Sequence, residues 1–250
     1  MKFSISDLAF AGFRYKELVK LDKKYGIEIF YEFGKSYYWK KVLPLLLDKR
    51  EGAFSIHGPC VAVNLADKNN KNYILAFAQA FSCADEYNAK FLVVHTNEEW
   101  DGDSAVCKKL IKERLTELQQ MSYINNIVMA IENVGLKTTG TLLFDEDEYL
   151  ALLEEFPNAG VLLDIGHANV NGWDISKVIE KLGKRIVGIH LHDNDGKGDQ
   201  HLPIGEGTIE WQPIFRAIEK YAPQAHLVLE YAKFDLDNLE KHIEFVSAIR

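Results

Sequence analysis

The amino-acid sequence predicts an α/β chain, a (β/α)8 barrel forming a single domain over residues 1–250. Three observations carry that expectation. Eight short β-rich runs recur along the chain, and amphipathic stretches separate them by connections of a few residues. Eight such units in about 250 residues match the count and size of a closed parallel barrel. An open doubly wound sheet has fewer units and carries a glycine fingerprint after its first strand, which this chain lacks.

The elements follow in order. KFSIS (2–6) is the first strand, and YKELVKLDKKYG (15–26) has helical periodicity. IEIFYEF (27–33) and AFSIHG (53–58) supply strands two and three. KNYILAFAQAFSCADEYN (71–88) repeats its apolar residues every three or four positions, as an amphipathic helix requires. KFLVVHT (90–96) is strand four, CKKLIKERLTELQQM (107–121) a helix and IVMAIEN (127–133) strand five. DEDEYLALLEEF (145–156) is helical, its acidic start suited to the helix dipole. GVLLDIG (160–166), RIVGIHLHD (185–193) and HLVLEY (226–231) complete the strands, and DLDNLEKHIEFVSAI (235–249) closes the chain as a helix.

Alternation within the strands assigns their faces. In RIVGIHLHD, Val187, Ile189 and Leu191 share one face, while Gly188, His190 and His192 share the other. The apolar face suits the helical layer, so the histidines are expected to point into the barrel. His57, His95, Glu132, Asp164 and Glu230 likewise stand at or next to strand ends. Strands three to eight thus each finish on an ionisable group at the C-terminal mouth, where barrels of this kind build active sites. So many carboxylates and imidazoles in one place repel or desolvate one another unless cations neutralise them.

The candidate metal ligands are therefore His57, His95, Glu132, Asp164, His167, His190, Asp199, His201 and Glu230. Asp164 and His167 are three apart at the turn leaving strand six, and Asp199 and His201 are two apart in a loop. Mixed imidazole and carboxylate donors suit Zn²⁺, Mn²⁺ or Fe²⁺ rather than a thiolate structural site. Six of the eight histidines lie in these mouth segments, whereas His226 and His242 read as structural or surface groups. DNDGKGD (193–199) has Lys197 at a ligand position of a calcium loop, which argues against that motif.

Composition narrows the function classes. A net charge of −8 argues against a broad electrostatic grip on nucleic acid. No apolar run approaches the ~18 residues of a membrane span, and the N-terminus lacks a secretory apolar stretch. Cys60, Cys83 and Cys107, odd in number and without CxxC spacing, predict a reducing, cytoplasmic setting and buried apolar roles.

The segments SIHGP, VVHT, AIENVG, LLDIGHANVNG, GIHLHDNDGKGDQHLPIGEGTIEW and LVLEY, in that order, resemble the xylose isomerase-like TIM-barrel superfamily. That superfamily takes in sugar isomerases and epimerases as well as endonuclease IV-like abasic-site nucleases. The nuclease resemblance implies three zinc ions. Glu132 would bridge two of them, with His57 and His95 on one side and Asp164, His190 and Glu230 on the other. His167, Asp199 and His201 would hold the third. The isomerase resemblance implies one ion, Zn or Mn, on Glu132, Asp164, His190 and Glu230, with the two glutamates as the acid–base pair. His192 and His167 are then candidates to hydrogen-bond substrate oxygens, and Trp173, Trp211 and Tyr231 to line the pocket, although an aromatic near a barrel rim is more often a packing residue. A lyase or dehydratase would use the same metal and base.

Cys60 stands where the nucleases place an intercalating aromatic, and the turn before Asp199 is shorter than theirs. The arginines are few (Arg14, Arg50, Arg114, Arg185, Arg216 and Arg250), and none falls in a mouth loop attributable to DNA. The balance favours a small carbohydrate substrate. Nucleic acid is a partner only under the alternative, and oligomeric state is left open.

Overall fold

The computed structural model describes residues 2–10 and 15–249, so Arg14 and Arg250 lie outside the described residues. Eight strands pair in parallel and in sequence, and β8 returns to β1 to close the barrel: β1 (Phe3–Ser6), β2 (Gly26–Phe30), β3 (Phe54–His57), β4 (Phe91–His95), β5 (Val128–Glu132), β6 (Gly160–Asp164), β7 (Ile186–Leu191) and β8 (His226–Leu229). The helices are α1 (Tyr15–Val19), α2 (Ser36–Leu47), α3 (Tyr73–Glu86), α4 (Ser104–Asn125), α5 (Glu146–Glu155), α6 (Ile165–Asn171), α7 (Ile175–Leu182), α8 (Trp211–Tyr221) and α9 (Leu239–Ala248). No helix among the described residues is long and apolar enough to cross a membrane.

Strand alternation sorts the residues into two cores. Outward side chains such as Ile56, Leu92, Val94, Ile131, Leu163 and Ile189 join the main apolar cluster against the helices. Inside the barrel, Phe91, Val93, Ala130 and Leu162 form a small separate cluster. It sits toward the start of the strands, below the polar groups that end them, and so floors the mouth with apolar packing.

Three expectations need correction. The helix expected over 15–26 stops at Val19, because Asp22 accepts the Lys24 N–H at 3.0 Å and turns the chain before Gly26 enters β2. Val187 does not share the outer face of β7. The register slips so that Val161 pairs with Ile186 and Leu162 with Gly188, and the bulged Val187 packs against the interior cluster. The three aromatics considered for the pocket are packing residues. Trp211 donates Nε1 to Asp193 at 2.9 Å, Tyr231 pairs through its hydroxyl with His242 Nε2 at 2.8 Å, and Trp173 lies against Tyr149.

Two local devices shape the mouth. Asp145 and Glu148 form a reciprocal capping box, so the acidic run fixes the start of α5 by hydrogen bonds as well as by charge. Arg114 on α4 is 2% exposed and donates to the carbonyls of Asn64, Leu65, Asp67 and Asn70, with its guanidinium 4.4 Å from the Tyr73 ring centroid. The loop after β3 is thus braced from behind by a buried cation.

Candidate metal centre

The nine expected ligands and His192 all converge at the C-terminal mouth. Many of them line a cavity of about 240 Å³, including His57, His95, Glu132, His167, Asp199, His201 and Glu230.

In five of the six mouth histidines one ring nitrogen is tied to a carbonyl or carboxylate and the other is left facing a carboxylate of the site. His57 Nδ1 bonds the Gly58 carbonyl at 2.9 Å, and its Nε2 lies 3.6 Å from Glu132 Oε2. His95 Nδ1 pairs with Glu98 at 2.6 Å, and its Nε2 lies 2.9 Å from the same oxygen. These three residues form one donor group. His167 Nδ1 bonds the Asn133 carbonyl at 3.0 Å and His201 Nδ1 the Glu230 carbonyl at 2.9 Å. Their Nε2 atoms then meet Asp199 Oδ2 at 3.2 and 3.1 Å, a second group. Tying the remote nitrogen in this way fixes the tautomer and aims the lone pair, as ligand histidines require.

His190 sits between the groups. Its Nδ1 faces Glu230 at 3.3 Å, Glu132 at 3.5 Å and Asp164 at 3.7 Å, while its Nε2 lies 2.7 Å from Glu28 Oε1. Glu28, on β2, was not among the sequence-derived candidates. It is fully buried, and its other oxygen accepts the Ser55 hydroxyl at 2.7 Å. The signal was in the pattern, for Glu28 alternates with Ile27 and Ile29 and so faces inward.

Asp164 terminates β6 and caps α6 by accepting the His167 N–H at 2.6 Å, and Asn133 ties the ends of β5 and β6 through its amide. Asp164 Oδ2 also meets His192 Nε2 at 3.0 Å. His192 is fully buried and stacked 3.9 Å from the His201 ring, so it belongs to the ligand cluster rather than to its rim. Gly166 leaves room for it, since a Cβ there would lie 1.9 Å from His192 Cε1. His201 holds the left-handed conformation (φ 46°), uncommon for a residue with a side chain and a local strain retained at this site.

The electrostatics show what the cluster lacks. Burial opposes charge throughout, yet Glu132 and Glu98 raise His95 to about 10, and Asp199 and Glu230 raise His201 to about 9. Against the same burial, His167 and His192 lower Asp164 to about 2, and the surrounding imidazoles hold Glu132 well below the usual carboxylate range. The carboxylates therefore demand positive charge here. Glu132 Oε2, Glu230 Oε1, His95 Nε2, His190 Nδ1 and His192 Nδ1 are all buried without a hydrogen-bond partner. Donor atoms of this chemistry, oriented and otherwise unsatisfied, fit divalent cations.

The fold and this mouth define a (β/α)8 barrel with a buried imidazole–carboxylate cluster whose donor groups could hold a metal ion. The chain belongs to the xylose isomerase-like TIM barrel family, whose model matches residues 8–249. An uncharacterized protein of Methanocaldococcus jannaschii, MJ1311, is 28% identical over 191 residues, covering 72% of this chain and 64% of that relative's length. Among solved structures, a D-tagatose 3-epimerase-like protein superposes with a TM-score of 0.78 at 23% identity, over 99% of both chains. The IOLI protein with a bound zinc atom gives 0.79 at 18% identity, over 100% of this chain and 96% of its own. An AP endonuclease, family 2, from Brucella melitensis gives 0.77 at 15% identity, over 98% of this chain and 99% of its own. These structural likenesses are likenesses of fold.

Proposed function

We propose that the protein is a divalent-metal-dependent isomerase or epimerase acting on a sugar, sugar phosphate or related carbonyl compound. The observation that carries this reading is the convergence of Glu132, at the end of β5, and Glu230, just past β8, on the buried His190 Nδ1 at 3.5 and 3.3 Å, with both glutamates lining a cavity of about 240 Å³. A cavity of that size suits a small molecule. Glu132, Asp164, His190 and Glu230 would hold the ion, which when bound supplies Lewis-acid charge to the vicinal oxygens of a hydroxy-ketone or hydroxy-aldehyde.

The rest falls to this chain's own groups. Glu230, whose Oε1 is free of hydrogen bonds, takes the substrate's α-proton and leaves an enediolate. The acid so formed, or Glu132 across the substrate, returns a proton to the neighbouring carbon or to the opposite face. His167, which lines the cavity next to Asp164, serves the substrate's oxygens. A lyase reaction would begin with the same proton removal.

One observation favours a second reading, three-metal phosphodiester hydrolysis at abasic sites in DNA. His167, Asp199 and His201 form their own donor group, beyond the four ligands that the isomerase needs. Against it, Arg50, Arg114 and Arg185 donate to backbone carbonyls, and no arginine lines the mouth cavity among the described residues.

The test is solvent deuterium incorporation into a panel of ketoses and their phosphates by the zinc- or manganese-loaded protein. Incorporation that Glu230→Gln abolishes is expected. Exchange retained in that variant removes Glu230 from the role of base. Cleavage of an abasic duplex at catalytic protein levels, with no exchange into any sugar, would replace this reading with the second.

A further inference from the structure

We propose that Cys60 is a fourth protein donor to the ion held by His57, His95 and Glu132, giving that position a thiolate ligand and a preference for zinc. This rests on the reading of the mouth as a divalent-metal centre.

Ligand atoms of His57, Cys60 and His95 all lie within 4.8 Å of one another. Independently, Glu132 is 1% exposed and its Oε2 has no hydrogen-bond partner. That oxygen nevertheless stands 2.9 Å from His95 Nε2 and 3.6 Å from His57 Nε2. Donor atoms brought this close without hydrogen-bond geometry leave a position that a cation fits.

The loop carrying the thiol is built, not incidental. The Glu32 carboxylate accepts the backbone N–H groups of Cys60, Val61 and Ala62 at 3.1, 2.8 and 3.1 Å, and the thiol itself at 3.3 Å. Cys60 is consequently held at 6% exposure, three residues after His57 ends β3. On metal binding the S–H bond breaks, a metal–sulfur bond forms, and the proton leaves to solvent by way of the Glu32 carboxylate. No oxidant or reductant is involved.

Two imidazoles, a carboxylate and a thiolate would make up the four donors of a closed site, the kind whose ion does not take substrate. The soft sulfur favours zinc over manganese or magnesium. Substrate chemistry is then left to the position lined by Asp164, His190 and Glu230, toward which Glu132 turns its other oxygen, Oε1, 3.5 Å from His190 Nδ1.

The test is spectroscopic and uses the full chain stripped with a chelator and reloaded with cobalt(II). The wild type is expected to give an intense near-ultraviolet sulfur-to-cobalt charge-transfer band. Cys60→Ser and His57→Ala should lose that band while keeping the visible ligand-field bands of the remaining sites. Zinc retention against a competing chelator should fall on the order of tenfold or more in Cys60→Ser. A wild-type protein that binds cobalt without the band overturns the proposal even if no variant folds, and so does a band that persists in Cys60→Ser. Deuterium exchange into substrate is read separately. Exchange without the band sinks only the thiolate ligand, whereas failure to bind any cobalt sinks the metal reading itself.

Discussion

Replacing Glu28 tests whether the centre is tuned from behind its ligands. The carboxylate is fully buried, with Oε1 2.7 Å from His190 Nε2 and Oε2 accepting from Ser55 at 2.7 Å. Despite the burial, His190 and His57 keep Glu28 ionised with a lowered pKa. It therefore holds the Nε2 proton of His190 and presents the Nδ1 lone pair to Glu132, Asp164 and Glu230. Glu28→Gln can preserve both hydrogen bonds, its amide oxygen toward His190 and its NH₂ toward Ser55, and removes only the charge. Removing outer partners of this kind costs about 10–100-fold in metal affinity, or about 1.4–2.7 kcal/mol. Glu28→Gln is expected near the lower end. Glu28→Ala belongs near the upper end, and it also strands two buried donors at about 1–3 kcal/mol each, so its melting temperature should drop as well. The assay is zinc titration at neutral pH against a chromophoric chelator, with thermal melts in parallel. Affinities within about twofold of wild type in both variants would refute the reasoning, because the His190 tautomer would then need no partner.

Two further outcomes follow from the same cluster. Gly166→Ala should lower stability by about 1–3 kcal/mol although alanine is the better helix former, since its Cβ would meet the His192 ring at 1.9 Å; a raised melting temperature would contradict this. The chelator-treated protein should be most stable, as far as these groups decide it, between about pH 4 and 6.5. His95 and His201 are raised from 6.5 to about 10 and about 9, so their contribution is full below 6.5 and lost as pH climbs through 9–10. Asp164 is lowered from 3.8 to about 2, so its contribution is present above 3.8 and lost as pH falls toward 2. Melts against pH in chelator should show the alkaline decline, and zinc should flatten it.

The barrel and most of its mouth were legible because period-2 alternation reports directly on which side chains enter the lumen. His57, His95, Glu132, Asp164 and His190 all lie on inward positions that end or nearly end their strands, and the loop pair Asp199 and His201 declared itself by spacing. What escaped had a physical cause in each case. Glu28 lies one layer below the rim, in a strand whose apolar neighbours gave no sign of a partner 162 residues away. The bulge at Val187 depends on pairing with β6, which no local pattern encodes. The early stop of α1 was missed because Asp22, whose side chain competes for the backbone, sits within an otherwise helical period, and α2 was masked by Pro44 inside it. His192 read as a substrate contact because strand alternation gives a direction and not a depth.

Arg114 gives the mouth an unexpected dependence on the outside of the molecule. Its two terminal nitrogens replace the solvent that the carbonyls of Asn64, Leu65, Asp67 and Asn70 would otherwise need, so the segment following His57 and Cys60 is held by a group anchored on an outer-ring helix. Changes along α4 that shift or tilt the helix would move that keystone and be felt as altered metal occupancy, far from any ligand. Mutational scans of this barrel should therefore find activity-sensitive positions on one stretch of its periphery, and Lys in place of Arg114, with a single point charge for four acceptors, should be among the least tolerated.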